Sequence, residues 1–468
     1  MRRFGIAALV AGWFFASIAL GQDAKPSAEP GGTLLTLDQA VAIALEKNLQ
    51  IASAELGSDA AKWEFYRSIS LWLPKADFYS TYYRLDPDSV DRANKPSQAL
   101  IDLEKKLGVS LGRQNLLTAD NYGSNFTVVQ PIINGGAEVG NILAAQAGQR
   151  DKRALWRDTV LQTILNVKTA YYSAVKARDL WKTATDSKAL AAESLRLYQT
   201  QFEVGQAAKA DLLLWEAQYA NAEGAEIAAE NAYRVAVLAL SNLLGVEVTT
   251  AYVLPEDAGA KNVATYDAWY RGAALDREDG GAVDEAVRKH PAFERTLAAI
   301  DAAKGSKALA WSVILPKLNF NWVYSWATDH TIALDGDKSW TATFTLDLPL
   351  FRSGGGTFGI IEARKQYRQA LLASKDAERG LVQRALSARL SIRSAYLRVH
   401  AADKEIASAQ ENLEVVRTRA KLGEATNLEL LNAQLTYVTA RSDFATAAAD
   451  FETARAQWEY LLVQDQKK

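Results

Sequence analysis

Residues 317–330, KLNFNWVYSWATDH, are apolar at every second position: Leu318, Phe320, Trp322, Tyr324 and Trp326 alternate with Asn319, Asn321, Val323, Ser325 and Ala327. A period of two predicts a strand with two unlike faces. Three other stretches alternate in the same way. In 339–350, Trp340, Ala342, Phe344, Leu346 and Leu348 oppose Thr341, Thr343, Thr345 and Asp347. In 121–133, Tyr122, Phe126 and Val128 oppose Asn121, Asn125 and Thr127. The pattern is less clean in 75–84, where Phe78 and Tyr82 oppose Tyr79, Thr81 and Tyr83. Each predicted strand has about ten residues, the length a tilted strand needs to cross a bilayer. Alternation with aromatics near the strand ends suits a lipid-facing barrel. A soluble sandwich alternates too, although its inner face is usually aliphatic.

Elsewhere the pattern has the helical period. A first helix is expected over 36–72, with Thr36 as cap and Gln39 three residues on. Very long helices are expected over 138–203 and 358–422, each reaching roughly 100 Å at about 1.5 Å per residue. Gly205 and Gly423 end them, and returning helices follow over 209–243 and 427–462. The returning helices carry seams with coiled-coil spacing: Ala210, Leu213, Ala217, Ala220, Gly224 and Ile227 in one, and Leu428, Leu431, Leu435, Val438, Ser442, Ala445 and Ala449 in the other. An ordinary bundle would show such seams as well, but globular helices average only three to four turns.

The elements come twice. Lys47-Asn48-Leu49 answers Lys289-His290-Pro291, and Leu73-Pro74-Lys75 answers Leu315-Pro316-Lys317, both at an offset of 242. Pro131-Ile132-Ile133 answers Pro349-Leu350-Phe351, and Val204-Gly205-Gln206-Ala207 answers Leu422-Gly423-Glu424-Ala425, both at 218. The change of 24 falls between the two strands of each copy, so the first copy has the longer loop there, at 86–120, with a helix expected near 97–107. Thr169-Ala170-Tyr171 against Ser394-Ala395-Tyr396 gives 225, a shift of one heptad that leaves helix facing nearly unchanged. The expected organisation is a signal peptide (1–21), a first repeat (22–245), a turn-rich connecting subdomain (246–282) with a short helix near 266–274, and a second repeat (283–468).

Export is read from the opening MRRFGIAALVAGWFFASIALGQ, with its cationic start, apolar run and small-residue cleavage site at Ala19-Leu20-Gly21. No cysteine follows the site, so a lipoprotein is not expected, and the cysteine-free chain has no disulfide framework. Loss of Arg2 and Arg3 takes the formal charge from −2 to about −4, which asks for no nucleic-acid partner. No later apolar run reaches the roughly 18 residues of a membrane helix, so any crossing must be a barrel. Four strands cannot close one, since about eight are needed, and open edges are not tolerated in lipid. Strands must then be pooled between chains. Catalysis is not expected: His290, His330 and His400 lie in dissimilar contexts, and RSGGGTFG lacks the lysine of a phosphate loop. No cofactor or metal site is expected either. A periplasmic coiled-coil adaptor or scaffold would account for the hairpins but not for four aromatic strands.

The ordered set of elements resembles the TolC-like outer-membrane efflux proteins over essentially the whole mature chain. LTLDQAVAIALEKNLQI, LWLPKADF, VILPKLNF, DLPLFRSGGG, and the hairpins FEVGQAAKADLLLWEAQ and RAKLGEATNLELLNAQ carry the resemblance. It implies a mainly α homotrimer in the outer membrane of a Gram-negative bacterium. Its single twelve-stranded barrel, four strands per chain, would continue as a long periplasmic α-helical coiled-coil cylinder. The implied function is an exit duct for efflux or secretion, working with a periplasmic adaptor (membrane fusion) protein and an inner-membrane transporter. Phe78, Tyr82, Phe126, Val128, Phe320, Trp322, Tyr324, Trp326, Trp340, Phe344 and Leu346 are then expected to face outer-membrane lipid. Val204, Gly205, Gln206, Leu422, Gly423 and Glu424 are the implied adaptor-docking tips; each glycine can equally be only a helix terminator. Asp211, Glu429 and Asn432 match the periplasmic gate, where Asn432 departs from the acidic pattern and Glu429 can equally be a solvated helix-face carboxylate. Ala420 and Ala425 stand where some members carry a tyrosine–arginine latch, so a different closing contact is needed.

Overall fold

The computed structural model describes residues 33–108, 117–247, 252–256, 263–273, 280–332 and 334–463. The expected signal peptide lies outside them. The strands and long helices form where the periodicities place them: β2 (Lys75–Arg84), β3 (Asp120–Asn134), β5 (Lys317–Thr328) and β6 (Asp337–Asp347), and the helices α5 (Ala137–Glu203), α6 (Lys209–Leu244), α10 (Gly355–Lys421) and α11 (Asn427–Leu461). A two-residue strand β1 (Thr33–Leu34) pairs in parallel with β4 (Tyr252–Val253) and ties the segment before the first helix to the connector. The connector also holds α7 (Val263–Gly272), close to the expected helix, and α8 (Gly280–Lys289).

The first helix is not continuous. It breaks at Asn48 into α1 (Leu37–Lys47) and α2 (Leu49–Ser70), because the Asn48 side chain accepts from Gln50 N at 2.9 Å and Ile51 N at 3.3 Å and starts a new helix. The second copy breaks at the equivalent place. There α9 (Pro291–Ser312) begins with His290, whose Nδ1 accepts from Ala292 N at 3.1 Å. The long loop holds the expected helix as α4 (Gln98–Leu107), and a further one before it, α3 (Pro87–Asn94).

The four long strands form one antiparallel sheet in the order β2-β3-β5-β6. No described strand pairs with the outer edge of β2 or of β6. The helices line up in the same sense. Toward the free tips the row runs α6, α5, α11, α10; nearer the sheet it runs α2, α5, α9, α10. One side of the chain therefore ends in β2, α2 and α6, and the other in β6 and α10. Just below the sheet α5 crosses α9 with almost no gap. A Cβ on Gly140 would lie 2.9 Å from Gly305 O, and one on Gly305 would lie 2.7 Å from Ala144 N, so glycine sets the approach of the two backbones.

The α6 seam read from the sequence also turns out differently. Leu213 and Ile227 are exposed, with Ala210, Ala217, Ala220 and Gly224, whereas Leu212, Trp215 and Ala222 face the chain's own α5. An edge helix has two seams, and the small-residue one points away from the molecule. On α11, Leu428 and Leu435 are likewise exposed, with Leu430, Ala433 and Gln434 buried beside them, whereas the later seam residues Ala445 and Ala449 are buried as the pattern has them.

Candidate pore face and hairpin tips

The sheet register decides which side chains share a face. Phe78 pairs with Phe126, Phe126 with Tyr324, and Tyr324 with Trp340. Tyr82 pairs with Tyr122, Val128 with Trp322, Phe320 with Phe344, and Leu318 with Leu346. All eleven residues expected to face lipid fall on one face, Trp326 included, because paired residues in an antiparallel sheet point the same way. The opposite face carries Thr81, Asn125, Thr127, Asn321, Ser325, Thr341 and Thr343 along its middle, and Ser325 Oγ donates to Asn125 Oδ1 at 2.6 Å. Charge on that polar face sits near its ends, in Lys75, Asp77, Lys317, Asp337 and Asp347.

A protein core needs a second layer, and among the described residues no helix is laid against either side of the sheet. Trp340, Phe344 and Leu346 are each about two-thirds exposed, at 66–68%. The two serine hydroxyls on the aromatic face satisfy each other: Ser80 Oγ and Ser124 Oγ lie 2.8 Å apart, beside the Phe78–Trp326 contact. Such mutual pairing is what a polar group requires where water is absent.

At the other end of the molecule both hairpins turn alike. Gly205 (φ 81°) and Gly423 (φ 75°) take the left-handed conformation. In each, the next residue's N–H reaches back to close the helix end, from Gln206 to Gln201 O at 2.7 Å and from Glu424 to Arg419 O at 2.8 Å. Val204 and Leu422, just before the glycines, are 64% and 70% exposed. Each hairpin tip thus exposes one apolar side chain at the matching point of its turn.

The three candidate gate residues have unlike surroundings. Glu429 is an exposed capping residue: its Oε2 accepts from Thr426 N at 2.7 Å and from Thr426 Oγ1 at 3.1 Å. The Thr426 backbone N–H, then its hydroxyl, holds the Glu429 carboxyl below the usual carboxylate range. Asp211 is tied into the structure. Its Oδ2 accepts from Ala208 N at 3.3 Å, and its Oδ1 accepts from Asn427 Nδ2 at 3.0 Å. Asn427 Oδ1 in turn accepts from the indole N–H of the fully buried Trp215, which stacks on Tyr198. Asn432 is exposed, and its backbone carbonyl accepts from Thr436 Oγ1 at 2.8 Å.

Sequence reasoning passed over Asn427 and Trp215. They link one hairpin to the other, and Asn427, four residues past Gly423, lies outside the acidic pattern. Above them Gln434 Nε2 donates to Ser194 Oγ at 2.8 Å, and Arg417 and Lys421 both pair with Glu193. Ala420 and Ala425 sit in the apolar packing beneath this network, where neither can reach across as a polar latch would.

Among the described residues no group of acidic or histidine side chains is spaced to hold a metal ion, and no helix is long and apolar enough to cross a membrane. Comparison with known proteins bears on the same parts of the chain. The family model described as outer membrane efflux protein matches residues 40–246 and 282–462. Protein CyaE of Bordetella pertussis is 27% identical over 322 residues, 67% of this chain and 65% of that protein. The alkaline protease secretion protein AprF of Pseudomonas aeruginosa is 23% identical over 336 residues, 69% of this chain and 65% of that protein. The matched stretch thus spans slightly less than two-thirds of each relative. Among solved structures, a membrane protein from Pseudomonas aeruginosa superposes with a TM-score of 0.76 at 16% identity, covering 92% of this chain and 91% of that one. The Campylobacter jejuni CmeC outer membrane channel gives 0.73 at 15% identity over 91% and 85%. At these identities the likeness is one of fold: a mostly helical chain with a four-stranded sheet at one end.

Proposed function

Because the chain belongs to the outer membrane efflux protein family, we propose that it forms a homotrimeric exit duct across the outer membrane and periplasm of a Gram-negative bacterium. The observation that carries this reading is the pair of open sides. The free edge of β2 lies on the same side of the molecule as α2 and α6, and the free edge of β6 on the same side as α10. A ring forms when one side of each copy meets the other side of the next, a head-to-tail contact that closes after a fixed number of copies. Three copies pool twelve antiparallel strands and leave no edge in lipid. The exposed α6 seam of small residues then meets α10 of the neighbour.

In this assembly the aromatic face contacts lipid and the hydroxyl- and amide-lined face encloses water. The chain works as two copies, 22–245 and 283–468, joined by the connector 246–282. At the periplasmic end, Val204 and Leu422 with their glycine turns receive an adaptor protein recruited by an inner-membrane transporter. Glu429, Asp211 and Asn432 stand near the mouth, where a ring of like carboxylates favours cations and resists anions. Solutes or polypeptides pass without chemical change, so no catalytic residue is required.

The test is the mass of the detergent-extracted protein by light scattering, corrected for bound detergent, on outer-membrane fractions. A trimer is expected. A stable monomer would overturn the duct, because four strands cannot close in lipid.

A further inference from the structure

The aromatic face is not the same at its two ends. At the end nearest the helices it finishes in Gln130, Ile133, Leu318 and Leu346, with no cation. At the other end, where the loops 85–119 and 329–336 emerge, it finishes in Arg84, Asp120 and Lys338. Below these three lies a belt of aromatics: Tyr82, Tyr122, Trp326 and Trp340. Tyr82 and Tyr122 stand 4.8 Å apart, and the Tyr82 hydroxyl donates to Asp120 Oδ1 at 2.9 Å. Arg84 is exposed and only loosely paired, 3.7 Å from Asp120. Lys338 is exposed and has no ion pair among the described residues.

The strand order gives this asymmetry a consequence. Arg84 is on β2 and Lys338 on β6, the two edge strands. In one chain they stand at opposite sides of the sheet. In the head-to-tail ring, β6 of one copy lies beside β2 of the next, about 5 Å away. Both cations are then on the outward face, at the same rim, on adjacent strands, and each of the three seams repeats the pair. Aromatic rings at the water–lipid boundary fix the depth of that rim.

We propose that each subunit seam is a binding site for a phosphorylated lipid headgroup at the outer rim of the barrel, with Arg84 of one copy and Lys338 of the next as its cationic contacts and the Trp340 and Tyr82 rings against the acyl chains. The inference rests on the trimeric duct. Guanidinium groups take phosphate oxygens in pairs and an ammonium adds a point charge, so together they suit a phosphomonoester better than a neutral headgroup. Asp120 lies on the Arg84 side of the seam and leaves Lys338 as the uncompensated charge.

Native mass spectrometry of the purified full-length protein, with lipid A and enzymatically dephosphorylated lipid A as probes, tests it. The wild type is expected to retain phosphorylated lipid, up to three per trimer, and to lose most of that preference without the phosphates. A cation near a charged lipid surface contributes about fivefold in affinity, so Lys338→Gln should weaken retention about fivefold and the Arg84→Gln/Lys338→Gln pair roughly thirtyfold at each seam. Lys338→Arg should restore it, which separates loss of charge from misfolding. Equal retention of both lipids by a trimer, or no effect of the double substitution on a trimer, overturns the site and leaves the duct standing. Displacement by millimolar inorganic phosphate would assign the cations to the free ion and overturn the lipid reading. A monomer in the same spectra overturns the duct and this site together.

Discussion

The two copies of the repeat place different chemistry at the same position. Asn48 and His290 are 242 residues apart, and each caps the helix that leads into a pair of strands. The Asn48 amide uses both ends: its oxygen accepts from Gln50 and Ile51, and its nitrogen donates to Leu243 O at 2.8 Å. The His290 ring is fully buried, caps with Nδ1 alone, and leaves Nε2 without a hydrogen-bond partner. An amide has no proton to gain near neutral pH. An imidazole does, and its cap works only while Nδ1 is bare. Duplication preserved the geometry of the turn, while its dependence on acidity belongs to the second copy alone.

The tips differ in the same manner. Asp211 and Glu429 both lie six residues beyond a left-handed glycine. One braces its hairpin against the other through Asn427 and Trp215, and the other only closes its own helix end.

Substitution of His290 by alanine should break this comparison most severely. It removes both a buried ring and a cap, and about 2–4 kcal/mol should be lost from the start of α9. Asn48→Ala should cost the start of α2 about 1–2 kcal/mol. Amide exchange measured over the first turns of α2 and α9 reads both; equal losses would mean the two caps are equivalent after all. Acidification comes next. Burial holds the His290 pKa below its ordinary value of 6.5, with Asp158 opposing the shift and Arg384 adding to it. Between the two values the unfolded chain carries the extra proton. Stability from this cap is therefore complete above pH 6.5 and drains away as pH falls through the folded value. Exchange at the start of α9 should quicken on going from pH 7.5 to 5.5, after correction for intrinsic rates, while the start of α2 stays constant. His290→Asn should abolish that difference, and a slope that survives the substitution would assign it to another group.

The smallest effects belong to the tips. Asp211→Ala leaves the Asn427 amide without its acceptor and should loosen the contact between hairpins by about 1 kcal/mol. Glu429→Gln should affect only the first turn of α11. If exchange at the first tip responds to Glu429→Gln as strongly as to Asp211→Ala, the two carboxylates share one role.

Much of this molecule is legible in its sequence, for identifiable reasons. The strands and the sorting of their faces follow from a period of two, clearest in 317–327 and 339–348 and least clean in 75–84, and the long helices from glycine turns that stop them. The break at Asn48 was harder to read, since Lys47-Asn48-Leu49 has neither glycine nor proline. The second copy carries the missing signal in Pro291, which sits at the first position of α9. The seam on α6 was legible as a heptad but not in its direction, because periodicity locates a stripe without saying which neighbour covers it. Trp215 and Asn427 escaped because their partnership joins residues 212 positions apart, and neither belongs to a local pattern.

The two unlike sides of the chain have a genetic corollary. In the proposed ring, a subunit whose β6 side is damaged would still present an intact β2 side, and so could enter a ring that it prevents from closing. Expressed at equal levels with the wild type, such a subunit would leave only about one ring in eight free of it, if rings of three draw copies at random. Lesions at one edge should therefore behave as dominant, whereas lesions that unfold the chain should be recessive.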